Sequence, residues 1–223
     1  MPRVSRFSVA TAVGVALFAG LVYLFAWSSI FSVSTVTVSG APTPDSQSEV
    51  IALVNIAPGE KLARVEPRAI ATRIDSIDWV NSVDISRHWL SGHVEIAVTP
   101  RVPAAYFNGS TIDSTGKVFL LPGFAGANLP TVSAAHPKIG VAAIALFQSL
   151  PETFKSQVTS LSAHDSSSFL LHLTIDGRDL RIAWGKNEKT ALKIQVINAL
   201  IALPENKNIK GIDISAPHAP IVK

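Results

Sequence analysis

The sequence predicts an α+β protein behind a single membrane-spanning helix. The predicted order is a unit of strand, helix, helix, strand, strand, then a mixed, strand-rich unit with a long helix and a carboxy-terminal edge strand. Three observations carry this. No residue from Phe7 to Phe31 is charged. Two alternating runs, Val83-Ile85-Arg87 and Val94-Ile96-Val98, flank Ser91-Gly92 as a hairpin would. Between Glu188 and Leu203, apolar residues recur at helical spacing.

At ~1.5 Å per residue the Phe7–Phe31 run reaches ~37 Å as a helix, enough to cross a ~30 Å hydrocarbon core with tilt. A cleaved secretory signal would have a shorter apolar core and small residues at its exit. This run leaves instead through Tyr23, Trp27 and Phe31, aromatics suited to the headgroup belt, so an uncleaved anchor from Phe7 is the expectation. Arg3 and Arg6 precede the run and the first charge after it is Asp45, which places the amino terminus in the cytoplasm and residues from about 32 onward outside. The expected division is a stub at 1–6, the anchor at 7–30, and outer domains at 31–101 and 102–223. So short a stub leaves little for cytoplasmic docking.

Composition narrows the rest. The formal charge is +3, but two of the 19 basic residues precede the run and the others are nearly matched by 16 acids. No basic patch is demanded, and no nucleic-acid partner is expected. There is no cysteine, hence no disulfide, thiolate metal site or thiol nucleophile. Pro42 to Ser48 and Ala134 to Lys138 read as loops.

The outer chain starts with Phe31, Val33, Val36 and Val38 interleaved with Ser and Thr, a strand that slips phase near Ser34-Thr35 and stops at Gly40. Ser46-Gln47-Ser48-Glu49 matches a capping box, with Val50, Ile51, Leu53 and Val54 as the helical face behind it and Pro58-Gly59 as the stop. Glu66-Pro67 opens a second helix bearing Ile70, Ile74 and Ile77. The hairpin of Trp79–Arg87 and His93–Thr99 closes the unit. Beyond it, Asn108-Gly109 and Ser114–Gly116 turn a meander of three short strands between Ala104 and Leu121. Asn108-Gly109-Ser110 also fits a glycosylation sequon, but the turn explains it better. Pro137 introduces a helix with Ile139, Ala142, Ala143, Leu146, Phe147 and Leu150. Val158–Ala163, Phe169–Ile175 and Leu180–Trp184 read as strands, the last two joined at Asp176-Gly177. In the long helix Leu192, Val196, Ala199, Leu200 and Leu203 share one face, with Lys189, Lys193 and Asn198 off it. Ile209–Ser215 then forms a last strand, followed by Ala216-Pro217-His218-Ala219-Pro220 and Ile221–Lys223.

The first outer unit resembles the POTRA domain of the bacterial cell-division family FtsQ/DivIB. The resemblance rests on Phe31-x-Val33-x-x-Val36-x-Val38-x-Gly40, Gly59-Glu60-Lys61-Leu62, Trp79-Val80-x-Ser82-Val83 and Arg87-x-Trp89. It continues through Val94-x-Ile96-x-Val98, Arg101-x-Pro103-Ala104 and Asp113-x-x-Gly116-x-Val118-Phe119. Trp184-Gly185 before a lysine-bearing helix, and Ile212-Asp213-Ile214-Ser215-x-Pro217-x-x-Pro220 after it, are similar to the carboxy-terminal region of actinobacterial-type FtsQ. The chain departs from the pattern at Pro100, where an acid is common, and at Leu90, where proline is common.

No Gly-x-Ser-x-Gly elbow, phosphate loop, His-Glu-x-x-His or dinucleotide fingerprint is present, so no enzyme, cofactor or small-molecule substrate is expected. His88 and His93 flank the hairpin turn without suggesting a metal pair, and Asp75 and Asp78 read as a solvated helix end rather than an acid–base couple. A chain without catalytic groups can offer surfaces, and a terminal strand at a sheet edge is a specific one. The resemblance implies a cytoplasmic-membrane scaffold of the division septum, with FtsB-like and FtsL-like bitopic partners and possibly other divisome membrane proteins. By position it puts Ile212, Asp213, Ile214, Ser215, Ala216, His218 and Ala219 at the contact where an FtsB-like strand adds. The competing reading of these residues is that Ile212 and Ile214 face the core. The competing functions are a membrane-anchored enzyme of cell-wall metabolism, which would show a nucleophile with a positioned base, and a POTRA-bearing secretion component, which would show repeated units or a barrel.

Overall fold

The computed structural model describes residues 6–26, 31–124, 126 and 129–223. They fall into two units, Met1–Arg101 and Val102–Lys223. Helix α1 runs Arg6–Ala26. Its side chains are described from Val9 to Tyr23 and are exposed all round, with Phe18 at 69% and Tyr23 at 67%. Among the described residues no helix is long and apolar enough to cross a membrane; Val9 to Tyr23 spans only ~22 Å. Arg3 and Trp27, and the side chains of Arg6 and Phe7, lie outside the described residues.

In the first unit the alternation of valines resolves as expected around Ser34. Val33 is buried, Ser32 bridges Lys61, and strand β1 begins at Thr35 and ends at Ser39 with Val36 and Val38 half-buried on the other phase. Gly40 then turns with φ 82°, where a Cβ would collide with the Val98 carbonyl. Helix α2 is Pro44–Val54, earlier than the Ser46–Glu49 box suggests. Pro44 presets the first helical φ, and the reciprocal cap is Thr43 with Ser46: Ser46 N donates to Thr43 Oγ1 at 3.1 Å and Thr43 N to Ser46 Oγ at 3.0 Å. So the stretch from Pro42 is a helix start rather than a loop. Glu49 is freed to accept from Trp79 Nε1 at 2.7 Å. The helix stops at Asn55, left-handed at φ 47°, before Pro58-Gly59 is reached. Helix α3 is Pro67–Ile74, and β2 (Val80–His88) and β3 (His93–Pro100) form the hairpin. The sheet order is β1-β3-β2, with β1 parallel to β3. Val50, Val54, Ile70 and Ile74 from the helices and Val94, Ile96 and Val98 from β3 are buried together in this unit. The Arg87 guanidinium donates to the Leu62 and Val65 carbonyls at 3.0 and 2.8 Å, pinning the α2–α3 connection to β2. At the end of β3, Arg101 N donates to the Trp79 carbonyl at 2.8 Å.

The second unit is one nine-stranded mixed sheet. The meander is β4 (Ala105–Phe107), β5 (Ser110–Ile112) and β6 (Val118–Phe119). Its second turn is organised by Asp113, whose Oδ1 accepts from Thr115 N, Thr115 Oγ1 and Lys117 N at 2.9, 2.6 and 3.0 Å. There follow β7 (Thr131–Ala134), α4 (Pro137–Ser149), a one-turn α5 (Glu152–Lys155), β8 (Val158–Asp165), β9 (Ser168–Ile175) and β10 (Arg178–Gly185). Helix α6 (Thr190–Ala202) precedes β11 (Gly211–Asp213) and β12 (Ile221–Val222). The order is β12-β11-β10-β9-β8-β7-β4-β5-β6, with the β10/β11, β7/β8 and β4/β7 pairs parallel. Strand β7 includes Ala134, so the predicted loop there is shorter than expected.

Alternation along the strands puts Leu161, Leu171, Leu173, Leu180, Ile182 and Trp184 on the face where α4 supplies Ala143, Ile144 and Leu146 and α6 supplies Ile197, all buried. The predicted polar side of α6 needs one correction. Lys193 is only 2% exposed, while Leu203 is 40% exposed. The Lys193 ammonium donates to the Trp184 and Lys186 carbonyls at 2.6 and 2.7 Å and lies 5.2 Å from the Trp184 ring centre. A lysine has a long apolar stem, and here two strand-end carbonyls take its head, so residue type misplaces it.

Candidate functional site at the carboxy-terminal sheet edge

The site is assembled from the end of β10 outward. Strand β10 leaves the core face at Gly185, whose φ is 70°. A Cβ there would stand 2.7 Å from Ser215 Cβ and 2.9 Å from its Cα, so the absence of a side chain lets the 211–215 segment cross beside it. Beside β10, the register Arg181↔Gly211, Ile182↔Ile212 and Ala183↔Asp213 lays β11 in parallel, and Ile214 N extends it by donating to the Ala183 carbonyl at 2.8 Å. Asp213 then closes a small turn: its Oδ1 accepts from Ser215 Oγ at 2.7 Å and Ser215 N at 3.0 Å. These bonds, the hydroxyl first, hold the Asp213 carboxyl below its ordinary value, and Lys223 adds to the effect while burial opposes it.

The seven predicted contact residues are therefore divided. Ile212 and Ile214 are 2% and 0% exposed and belong to the core. Asp213 is half-buried, while Ser215, Ala216, His218 and Ala219 are exposed in the connection to β12, which Ala219 N tightens by donating to the Ala216 carbonyl at 3.0 Å. The outer side of β11 is not open. Strand β12 pairs antiparallel with it, Ile212 opposite Val222 and Asp213 opposite Ile221. The edge of the sheet is β12 itself, with Ile221 55% and Val222 40% exposed.

The hydrogen-bond phase of this edge follows from its neighbours. Lys223 N donates to the Gly211 carbonyl at 2.9 Å, and Gly211 N donates to the Lys223 carbonyl at 3.1 Å. In an antiparallel ladder the next opposed pair makes no such exchange, so the Val222 N–H and C=O point away from β11, toward the open side. On the sheet surface beside this edge, Leu170, Arg181, Ala183, Lys210, Asp213 and Lys223 help line an open depression of about 450 Å³. Three of these six are cations and one is an anion, so the depression favours an acidic guest. Sequence reasoning passed over Ile221 and Val222 because a two-residue strand has no periodicity to read; the β-branched pair after Pro220 is the only signal. Among the described residues no group of three or more His, Asp or Glu could hold a metal ion.

Residues 31–101 match the family description "POTRA domain, FtsQ-type", and residues 104–215 match "Cell division protein FtsQ/DivIB, C-terminal". Ala216–Lys223 lie beyond the matched segment. The chain is similar to the cell division protein FtsQ of Mycolicibacterium smegmatis, with 31% identity over 208 residues, 90% of this chain and 60% of that protein. It is also similar to that of Mycobacteroides abscessus, 29% identical over 212 residues, 92% of this chain and 65% of the relative. For the protein of Corynebacterium glutamicum the identity is 26% over 181 residues, 77% of this chain and 79% of the relative. The chain thus spans under two thirds of the length of the two mycobacterial relatives.

Proposed function

Because this chain belongs to the FtsQ/DivIB family of cell-division proteins, we propose that it is a non-catalytic scaffold of the divisome, anchored in the cytoplasmic membrane and holding partners outside it. Helix α1 is the anchor in this reading. Helix α1 runs 21 residues, ~31 Å, and its described side chains expose apolar groups on every side, as a helix surrounded by lipid does. Arg3 and Arg6 keep the amino terminus inside, and both outer units lie on the far side, at the division septum.

The observation that carries the scaffold reading is the open edge at β12, with the Val222 N–H and C=O turned outward beside a cation-rich depression. Such an edge accepts a strand through main-chain bonds, and specificity comes from side chains on alternate positions. The guest is a bitopic division partner of FtsB type, lying beside an FtsL-type partner. Its strand runs along β12, the exposed turn Ser215–Ala219 flanks it, and an acidic residue of the guest meets Arg181, Lys210 or Lys223. Ile212 and Ile214 support this edge from beneath.

Val222→Pro tests it. Proline removes the one N–H that faces the guest and leaves the bonds of Lys223 with β11 intact, and its φ suits an edge strand. The FtsB-type partner should no longer co-purify with the full chain from membranes, while thermal unfolding of the chain is unchanged. Undiminished recovery of that partner with Val222→Pro removes β12 as the docking strand. Substitutions at Ile214 would not serve, since a buried residue tests folding first.

A further inference from the structure

Among the described residues the most exposed large apolar side chain is Leu90, at 98%. It stands at the tip of the β2–β3 hairpin, and the structure ties that tip to the point where the chain arrives from α1. Ser34 N donates to the Gly92 carbonyl at 2.7 Å and Ser34 Oγ to the Ser91 carbonyl at 2.8 Å. Gly92, at φ 69°, has no room for a Cβ, which would stand 2.5 Å from the Ser32 carbonyl oxygen. Next to Leu90, the Trp89 ring meets Phe31 edge-on with centres 6.2 Å apart, and the Arg87 guanidinium lies 5.2 Å from the Trp89 ring centre. Leu62 N donates to the Phe31 carbonyl at 3.0 Å, and Ser32 bridges Lys61. The tip from Arg87 to His93 contains no acid.

These contacts gather an aliphatic residue, two aromatics and a cationic fringe at one place. Four residues separate Ala26, the last of α1, from Phe31, so the chain between them reaches at most ~18 Å. Headgroup layers add ~5–8 Å on each side of the hydrocarbon core, and aromatic and basic side chains collect there. We propose that the hairpin tip, Leu90 with Trp89 and Phe31, is a second membrane contact that seats in the headgroup boundary of the outer leaflet. The proposal rests on the reading of α1 as the membrane anchor. Its consequence is that the first unit is held to the bilayer at two points, the covalent exit at Phe31 and the hairpin tip, which restricts rotation about the exit.

The natural chain has no cysteine, so single reporters are available. Ser91→Cys, Ser48→Cys and Val15→Cys, each carrying a small polarity-sensitive fluorophore, are reconstituted as full chains in vesicles of phosphatidylethanolamine and phosphatidylglycerol with brominated acyl chains. Ser48 lies on α2, which approaches β1 at its far end, where Gln47 Nε2 donates to the Val38 carbonyl. The proposal expects loss of emission and a blue shift at position 91, neither at position 48, and recovery of emission at 91 when Leu90→Asp is added. Equal emission at 91 and 48 with quenching at 15 overturns the tip contact and leaves the anchor standing. Absence of quenching at 15 overturns both. Quenching at 91 that survives Leu90→Asp overturns the role given to Leu90.

Discussion

Lys193→Met replaces a buried cation by a side chain of similar length, and its cost can be worked out from the environment of the ammonium. The substitution removes donors from two carbonyls, those of Trp184 and Lys186, at 2.6 and 2.7 Å. A hydrogen bond from a charged donor contributes ~1.5–3 kcal/mol, and a buried carbonyl left bare costs ~1–3 kcal/mol. Against this, methionine carries no charge out of water, a desolvation cost of several kcal/mol for a buried ion. Because both acceptors are neutral and both lose their partner, the losses win, and the variant should be destabilised by ~2–4 kcal/mol. Burial holds the Lys193 amine below the ordinary value of 10.5, with Glu188 opposing and Lys189 adding to the effect. A neutral amine keeps two N–H groups, enough for both carbonyls. The unfolded chain binds more protons than the folded one between the lowered value and about 10.5, so this residue's contribution grows as pH rises through that window. Urea unfolding of parent and variant at pH 8 and pH 10, followed by tryptophan emission, measures both effects. A variant within ~0.5 kcal/mol of the parent, the range of a neutral surface change, refutes the assignment. So does a parent–variant gap that narrows at the higher pH.

Gly185→Ala should lower stability by ~1–2 kcal/mol from the left-handed backbone alone, with more from the contact on Ser215, and a melting curve reads it directly; an unchanged midpoint contradicts the close crossing. Asp213→Asn removes a carboxylate that the Ser215 bonds stabilise in its charged form. Its contribution is fully present above the ordinary carboxylate value of 3.8 and is lost as pH falls through the lower folded value. Denaturation midpoints of parent and Asp213→Asn should therefore converge on acidification, and a gap that widens below pH 4 would count against the turn.

The sequence shows the first unit's pattern plainly because its signals are local. Val83–Arg87 and Val94–Val98 alternate within one hairpin, and the phase slip at Ser34 is visible as Val33 and Val36 on opposite parity. The Ser46–Glu49 box misled because Glu49 is taken by the Trp79 indole while Ser46 caps reciprocally with Thr43, contacts that the local sequence pattern does not show. Strand β7 was not legible, since Thr131–Ala134 is short and its partners, Tyr106-Phe107 and Ser160–Ala163, are both distant in sequence. Lys193 misled for another reason: helical periodicity sorts residues by type, whereas the ends of β10 decide which head group is buried. The candidate edge was placed one strand too far inward. Ile212 and Ile214 alternate as edge and interior strands both do, and nothing in that alternation tells that Ile221-Val222 comes back to cover them.

Strand β12 is a two-residue element held by one short ladder, so it can open at a free-energy cost well below that of the sheet behind it. In the proposed assembly a guest strand would find its template only in the fraction of molecules in which β12 is docked, and its apparent dissociation constant would be the intrinsic one divided by that fraction. Any change that loosens Lys223 from Gly211 would weaken that assembly by lowering the docked fraction, whether or not the guest touches the changed residue. Conversely, an occupied edge would slow exchange at the Gly211 and Lys223 amides, which point between β11 and β12 rather than at the guest, giving that assembly a readout inside the sheet itself.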